Sequence, residues 1–232
     1  MDFNDTTVII PTLNEEKNIA RLIGFLEGLY PNLWVIVSDD GSRDRTQEEV
    51  RKISRRNRHI KVYDRGNKMV HGLTVSVTDA AKRVKTRYIV VMDADFQHPP
   101  EKVGEIVETL RKGFDVVIAS RAAIKEGWPL SRKIISKAAT LMGRARLIGR
   151  SYSKMDFGGG FFGVRTKFFQ KRISENGNGF EPRGYKVMFD MLKHAPKNSK
   201  VAEVPYTFGI RKAGKSKLSK KVVYYYLRSL VK

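Results

Sequence analysis

Tyr88-Ile89-Val90-Val91-Met92-Asp93-Ala94-Asp95-Phe96-Gln97-His98-Pro99-Pro100 changes character twice over its length. The first four residues are apolar and mostly β-branched, which reads as a short strand buried on both faces. The run then stops at two carboxylates one residue apart, with a carboxamide two residues further on. Pro99 and Pro100 cannot continue a strand ladder but can open a helix, and a helical pattern runs from Glu101 to Lys112. Asp93, Asp95 and Gln97 therefore belong where a buried strand opens onto a loop, the edge at which ligands collect in an open α/β sheet. Their oxygens are hard ligands suited to Mg²⁺ or Mn²⁺, ions that usually complete their shell with substrate phosphates. An acidic loop that only caps the next helix is the plainer alternative, and the whole stretch favours the metal site over it.

Upstream the same grammar repeats. Thr7-Val8-Ile9-Ile10-Pro11 reads as a first strand, and Asn14-Glu15-Glu16 as the start of an amphipathic helix burying Ile19, Leu22, Ile23, Leu26 and Leu29. Trp34-Val35-Ile36-Val37 is a second buried strand, ending in Ser38-Asp39-Asp40-Gly41-Ser42. A helix from about Thr46 to Arg56 follows, capped by Asp44 or Ser42. Ile60–Tyr63 is a third strand and Gly72–Val84 a third helix. Strand and helix in alternation with short connections predict a Rossmann-like, mostly parallel α/β sheet with helices on both faces. Two strands ending in clustered acids carry mutual repulsion that a cation or donor group must offset. Neither a GxGxxG turn nor a GxxxxGK[ST] loop follows the first strand, so a nucleotide bound there has its phosphates held by metal and basic side chains.

Composition sets the outer limits. The chain of 232 residues fits one domain with a sizeable core, and 41% hydrophobic residues exclude global disorder. There is no cysteine, hence no disulfide framework and no thiolate metal site. The acidic amino terminus is unlike a signal peptide, and no apolar run approaches bilayer-spanning length, so a soluble or peripheral protein is expected. Forty-five basic residues against 24 acidic ones give a formal charge of +21, a field that attracts phosphate-rich partners.

The second half carries most of that charge in patterned form. Phe114–Ala119 reads as a strand delivering Ser120 and Arg121 to the acidic edge. Leu130–Lys154 has no acidic residue and places apolar residues at helical spacing, which reads as a basic amphipathic helix. Such a helix suits either a membrane interface or an ordinary solvated surface, whereas a nucleic-acid helix would interleave aromatics. Asp156 precedes Gly158-Gly159-Gly160 and either touches substrate or turns the chain. Glu181–His194 contains a helix with Lys186 near its start. Val201–Phe208 is a late strand, followed by a basic, glycine-containing segment, Gly209–Leu218, of phosphate-gripping type. Lys220–Lys232 carries a second apolar stripe, Val222, Val223, Tyr226, Leu227, Leu230 and Val231, with basic flanks and tyrosines suited to a headgroup boundary or to a partner's membrane helix.

These segments resemble a known family. Ile10–Glu15, Asp39-Asp40-Gly41-Ser42, Met92–Pro100, Ala119-Ser120-Arg121, Arg132–Lys137 and Val204–Leu218 are similar to those of GT-A fold glycosyltransferases of family 2, and within it to dolichyl-phosphate mannose synthases. The resemblance implies a catalytic domain over residues 1–217, with 130–154 as an interface helix within it and 218–232 as a terminal amphipathic helix. It implies transfer of mannose, with inversion, from GDP-mannose to dolichyl or another polyprenyl phosphate, helped by Mg²⁺ or Mn²⁺. Carried over by position, Pro11, Leu13, Glu15, Ser38 and Asp40 line the nucleoside pocket, with Asp93, Ala94 and Asp95 at the ribose and diphosphate. Asp93, Asp95 and Gln97 hold the metal, and Arg121, Arg132, Arg211 and Lys217 the donor and acceptor phosphates, with Lys137 and Lys186 as further candidates for the acceptor. Asp95, Arg121 and Arg132 are the expected catalytic residues. The implied setting is peripheral, at the cytoplasmic face of an anionic membrane, with a small membrane-anchoring partner protein and no nucleic acid. The competing readings are a UDP-glucose or UDP-GlcNAc transferase on the same lipid phosphate, and a non-catalytic basic protein that binds nucleic acid or membrane.

Overall fold

The computed structural model of the protein describes residues 1–124, 130–210 and 220–232, as backbone only at 124, 130–136, 220 and 222. Strands β1 (Thr6–Thr12), β2 (Trp34–Asp39), β3 (Ile60–Asp64), β4 (Tyr88–Val91), β5 (Val116–Ile124), β6 (Phe162–Arg165) and β7 (Val201–Phe208) form one seven-stranded sheet in the order 3-2-1-4-6-5-7. All neighbours are parallel except β6, which runs antiparallel to both β4 and β5. Helices α1 (Ile19–Leu29), α2 (Thr46–Ser54), α3 (Leu73–Ala81), α4 (Lys102–Arg111), α5 (Leu130–Arg146), α6 (Thr166–Asn176), α7 (Val187–Lys193) and α8 (Lys220–Val231) accompany it.

Strand alternation divides the apolar residues between two cores, one on each face. Val8, Ile10 and Val90 face the cluster that packs α1, α2 and α4. Ile9, Ile89 and Val91 face the cluster built with α3, α6 and α7, to which Tyr226 and Leu230 of α8 are added. β4 is buried at every position, as its unbroken apolar run requires. Each Ile or Leu carried fully out of water contributes roughly 2 kcal/mol. The four that α1 buries, Ile19, Leu22, Ile23 and Leu26, are therefore enough to fix that helix on the sheet.

Two features of topology build the site. β1 pairs with β2 on one side and β4 on the other, so the chain reverses its direction of travel across the sheet at the β1/β4 junction. The inserted β6 then pairs Phe162 with Val91 and with Ile118, which sets the segment before it beside the acidic loop after β4.

Three expectations are corrected. Residues 130–154 are not one helix: α5 ends at Arg146 and turns follow. Leu147 is buried there, and the Arg150 guanidinium donates to the carbonyl of Lys193 at 2.7 Å and to that of Ala195, folding the chain back onto the end of α7. The first helix begins at Ile19, because Asn14 takes a left-handed turn (φ +56°) and its backbone N–H donates to Ser42 Oγ at 2.8 Å. α6 has no counterpart in the sequence reading; only Thr166, Phe169 and Ile173 mark its buried side within a basic stretch.

The apolar stripe expected on α8 is split. Tyr226 is buried and its hydroxyl donates to the Ala139 carbonyl of α5 at 2.6 Å, while Leu227 and Val231 stay exposed with Tyr224. Asp190 and Lys193 form a fully buried ion pair within α7 at 2.9 Å, and Ser229 fastens α8 to it by donating to Asp190 and accepting from Lys193. No helix among the described residues is long and apolar enough to cross a membrane.

Candidate active site

The loop after β4 presents its polar groups unequally. Asp95 and Gln97 are buried, whereas the Asp93 side chain is 39% exposed. Asp95 Oδ1 accepts the Gln97 backbone N–H at 3.0 Å, which draws the two residues together. Phe96 between them has φ +64°. The Asp93 backbone N–H donates to His98 Nδ1 at 3.0 Å, a bond that requires that nitrogen to be unprotonated. Burial agrees with it: removal from water pushes the His98 pKa down to about 4, more than Asp95 opposes. The ring stacks on Phe161 at 5.0 Å and meets Tyr206 and Phe208 at 6.0 Å. His98 is a neutral floor beneath the acids.

β5 brings Arg121 to the same edge, at a break in its register with β7 that lies between Arg121 and Ala123. Its guanidinium grips Asp156 through Nε and Nη2, both at 2.8 Å, and its backbone N–H adds a third bond at 3.1 Å. Burial alone would raise the Asp156 pKa, yet the Arg121 pairing outweighs it and holds the carboxyl below its usual range. Lys186, just before α7, donates to the Gly158 carbonyl; burial together with Arg121 pulls its pKa down to about 7 against the opposing pull of Asp156. Asp156, open between two readings in the sequence, thus orients a cation at the site. Tyr206 sits across from Arg121 in the β5–β7 ladder. Its hydroxyl is buried with no hydrogen-bond partner among the described residues, and Arg121, Asp156, Asp93 and Asp95 all act on it electrostatically.

The acids after β2 behave differently. Asp39 is fully buried and accepts from Thr12 (2.8 Å), Ser42 N–H (2.9 Å) and Gln47 (2.7 Å). Asp40 is bonded by the buried Arg65, by His71 Nδ1 at 3.1 Å and by the Gly72 N–H at 2.7 Å, and Arg65 also bonds Asp79 at 3.1 Å. Ser38, expected in the nucleoside pocket, is fully buried. Its hydroxyl donates to the Ser76 carbonyl at 2.9 Å, tying β2 to α3. Nothing in the sequence marked Arg65 as the counter-charge for this loop.

The other expected residues fall as follows. Pro11 lies at the end of β1, with Leu13 exposed beyond it. Glu15 accepts from Asn18 at 2.9 Å and its N–H donates to Thr46 Oγ1 at 2.8 Å. Ala94 is buried between the two acids. Lys137 is exposed on α5, and Arg132 is described there as backbone only. Arg211 and Lys217 lie outside the described residues.

Asp93, Asp95 and Gln97 offer an all-oxygen donor set, and the orphaned Tyr206 hydroxyl lies within their field. The set fits Mg²⁺ or Mn²⁺. No cluster of three His, Cys, Asp or Glu side chains is found among the described residues, so a cation here would draw on two carboxylates, a carboxamide and a ligand's own oxygens.

The sheet is mostly parallel, with acids at the ends of β2 and β4 and Arg121 on β5. The glycosyl transferase family 2 model matches residues 7–173. The chain belongs to that family. It is 39% identical over 231 residues to a dolichol-phosphate mannosyltransferase of Pyrococcus furiosus, covering 97% of this chain and 62% of the relative, so it spans less than two thirds of that protein's length. It is 34% identical to the dolichol-phosphate mannosyltransferase of Saccharomyces cerevisiae, covering 97% of this chain and 85% of the relative. A polyprenol monophosphomannose synthase of Mycolicibacterium smegmatis shares 30% identity over 92% of this chain and 81% of its own. Among solved structures, glucosyl-3-phosphoglycerate synthase from Mycobacterium tuberculosis, in a complex with Mg²⁺ and UDP, has a TM-score of 0.65 at 18% identity, covering 97% of this chain and 78% of that one. That likeness establishes the GT-A type fold.

Proposed function

We propose that this protein transfers mannose from GDP-mannose to a polyprenyl phosphate such as dolichyl phosphate, inverting the anomeric centre. The observation that carries the reading is the presence, at one sheet edge, of an acidic loop (Asp93, Asp95, Gln97) and two half-buried cations, Arg121, oriented by Asp156, and Lys186. The names of the relatives supply the sugar and the acceptor class.

The chemistry needs no strong base. A phosphate monoester is already anionic at neutral pH, and the histidine nearest the acids is buried, neutral and engaged with the Asp93 N–H. Asp93, Asp95 and Gln97 would hold Mg²⁺ or Mn²⁺, whose contribution is to neutralise charge on the departing nucleoside diphosphate. Pro11, Leu13 and Glu15 flank the nucleoside, and Asp39 and Asp40 stiffen the loop beside it. Arg121, locked by Asp156, keeps its cation aimed while two repelling phosphates are brought within reach of each other. Lys186, beside the Gly158 carbonyl, adds a second cation for an incoming anion. The family resemblance assigns Arg132, Arg211 and Lys217 to the same phosphates.

The acceptor is a lipid, and the surface made by α5 and α8 suits a membrane. Leu141, Ile148, Tyr224, Leu227 and Val231 are exposed among Lys137, Arg144, Lys221 and Arg228. A peripheral position on an anionic membrane follows, with a small anchoring protein as a companion on the same face. A screen of GDP-mannose, UDP-glucose and UDP-GlcNAc with dolichyl phosphate, Mn²⁺ and the purified chain tests the donor. Turnover confined to GDP-mannose, giving the β-linked lipid product, is expected. Turnover with a UDP-sugar alone would replace mannose by that sugar, and none with any donor would sink the reading.

A further inference from the structure

Phe96 stands between Asp95 and Gln97 with a φ of +64°, a left-handed backbone that a bulky L side chain adopts only under constraint. The loop's own sequence does not supply that constraint, since glycine or asparagine would be the residue that turns there unaided. It comes from α1. The Phe25 ring meets the Phe96 ring edge-on at 5.8 Å, and the Arg21 guanidinium lies 5.6 Å from the Phe25 ring and 5.4 Å from that of Phe96. Arg21 and Phe25 are four residues apart and share one side of the helix. The other side is anchored in the core by Ile19, Leu22, Ile23 and Leu26. The far end of β7 closes on the same turn: Gly209 N–H donates to the Gln97 carbonyl at 2.9 Å, and a Cβ on Gly209 would come within 2.9 Å of the Phe96 carbonyl oxygen.

We propose that Arg21 and Phe25 are positioning residues for the metal motif, acting as a cation–aromatic clamp that holds Phe96 left-handed and so keeps Asp95 and Gln97 turned toward one another. Exposed phenylalanine on a surface helix is otherwise a poor choice, and here it has a task. The clamp touches no substrate. Its effect is on how readily the loop presents its oxygens to a cation, hence on metal affinity more than on the rate at saturating metal. The inference rests on the proposal that Asp93, Asp95 and Gln97 bind a divalent cation.

Mn²⁺ binding to the folded chain in the presence of GDP, followed by electron paramagnetic resonance of the free ion, tests it. Phe25→Ala and Arg21→Gln should each weaken Mn²⁺, the former by about tenfold, equivalent to about 1.4 kcal/mol. Phe25→Tyr should bind as the wild type does. Replacing Phe96 by glycine in the Phe25→Ala background should recover most of the lost affinity, because glycine takes the left-handed turn unassisted. In turnover, the Mn²⁺ concentration for half-maximal rate should rise while kcat at saturating metal holds within about twofold. An unchanged Mn²⁺ affinity in both single variants, or no recovery with Phe96→Gly, overturns the clamp. Should Phe25→Ala fail to fold, Arg21→Gln with and without Phe96→Gly decides the matter alone. If the wild type binds no Mn²⁺, or Asp95→Ala binds it equally well, the metal reading itself falls and the clamp with it.

Discussion

The loops after β2 and β4 look alike in sequence, each an apolar strand that breaks into two acids, and the fold uses them in opposite ways. Asp39 and Asp40 have their oxygens taken up by Thr12, Ser42, Gln47, Arg65, His71 and Gly72. Asp93 and Asp95 sit over a neutral histidine, with Asp93 more than a third exposed and Arg121 across the groove. An acid pair at a strand end is thus not by itself a site: the first pair is engaged by the scaffold, while the Asp93 side chain of the second is 39% exposed. The first loop is scaffold that shapes a wall; the second is the floor on which the chemistry is proposed to occur.

The sharpest way to break that contrast is to remove one acid from each loop. Asp95→Ala is expected to lower mannosyl transfer by about a thousandfold or more, the scale of losing a group that acts on charge in the transition state, with its thermal midpoint within a few degrees of the wild type. Radiolabelled GDP-mannose turnover and a melting curve measure both. Asp39→Ala should do the reverse first. Stranding the buried Thr12 hydroxyl and the half-buried donors of Ser42 and Gln47 costs about 2–4 kcal/mol of stability, read by urea denaturation. If Asp39→Ala folds normally while Asp95→Ala unfolds, the assignment of the two loops is inverted.

The basic side of the groove offers a smaller effect with a definite sign. Lys186 has a folded pKa of about 7, below its ordinary 10.5. Between those values the unfolded chain binds more protons than the folded one, so stability rises as pH climbs from about 7 towards 10.5. The penalty for burying the charged form is fully present below pH 7. Lys186→Met should abolish this slope. Unfolding free energies from urea titrations at pH 7 and pH 9.5 should differ in the wild type, relative to the variant, by about 1–3 kcal/mol once partial exposure is allowed for. An identical pH dependence in both proteins would show that Lys186 is solvated and does not face Arg121.

What the sequence made legible follows the same division. Local signals located every strand that positions the site, because β4, β2 and β5 are apolar runs ending in charge. Strand order and the antiparallel insertion of β6 were not legible, since Phe162–Arg165 is short and its pairing depends on Val91 and Ile118 far along the chain. The family resemblance could not say that Ser38 would be spent on Ser76 or that Arg65 would pair with Asp40. Counter-charges recruited from another connection leave no local trace. Nor does the left-handed turn at Phe96, where propensity alone argues for another residue and tertiary packing overrides it. The overlong helix drawn through Arg146 to Lys154 has a related cause. Helical spacing of apolar residues persists there, yet Arg150 finds carbonyls at the end of α7 and bends the chain away.

The finest test asks whether the Arg121, Asp156 and Lys186 geometry matters to chemistry while leaving the scaffold untouched. A Cβ at Gly158 would lie 3.0 Å from Arg121 Nη2, 3.3 Å from Asp156 Oδ1 and 3.4 Å from Lys186 Nζ. All three are the far ends of side chains, so they can yield by a few tenths of an ångström without moving the backbone. Gly158→Ala should therefore fold with less than about 0.5 kcal/mol change. Displacing a positioned cation by that amount should still lower kcat/KM for the polyprenyl phosphate by about tenfold, since reactivity depends steeply on alignment. Alanine in the β2 loop's equivalent turn has no comparable route to activity, because the acids there are satisfied from within. A Gly158→Ala enzyme with unaltered kinetics would mean that Arg121 and Lys186 tolerate displacement, and that they belong with Asp39 and Asp40 as scaffold.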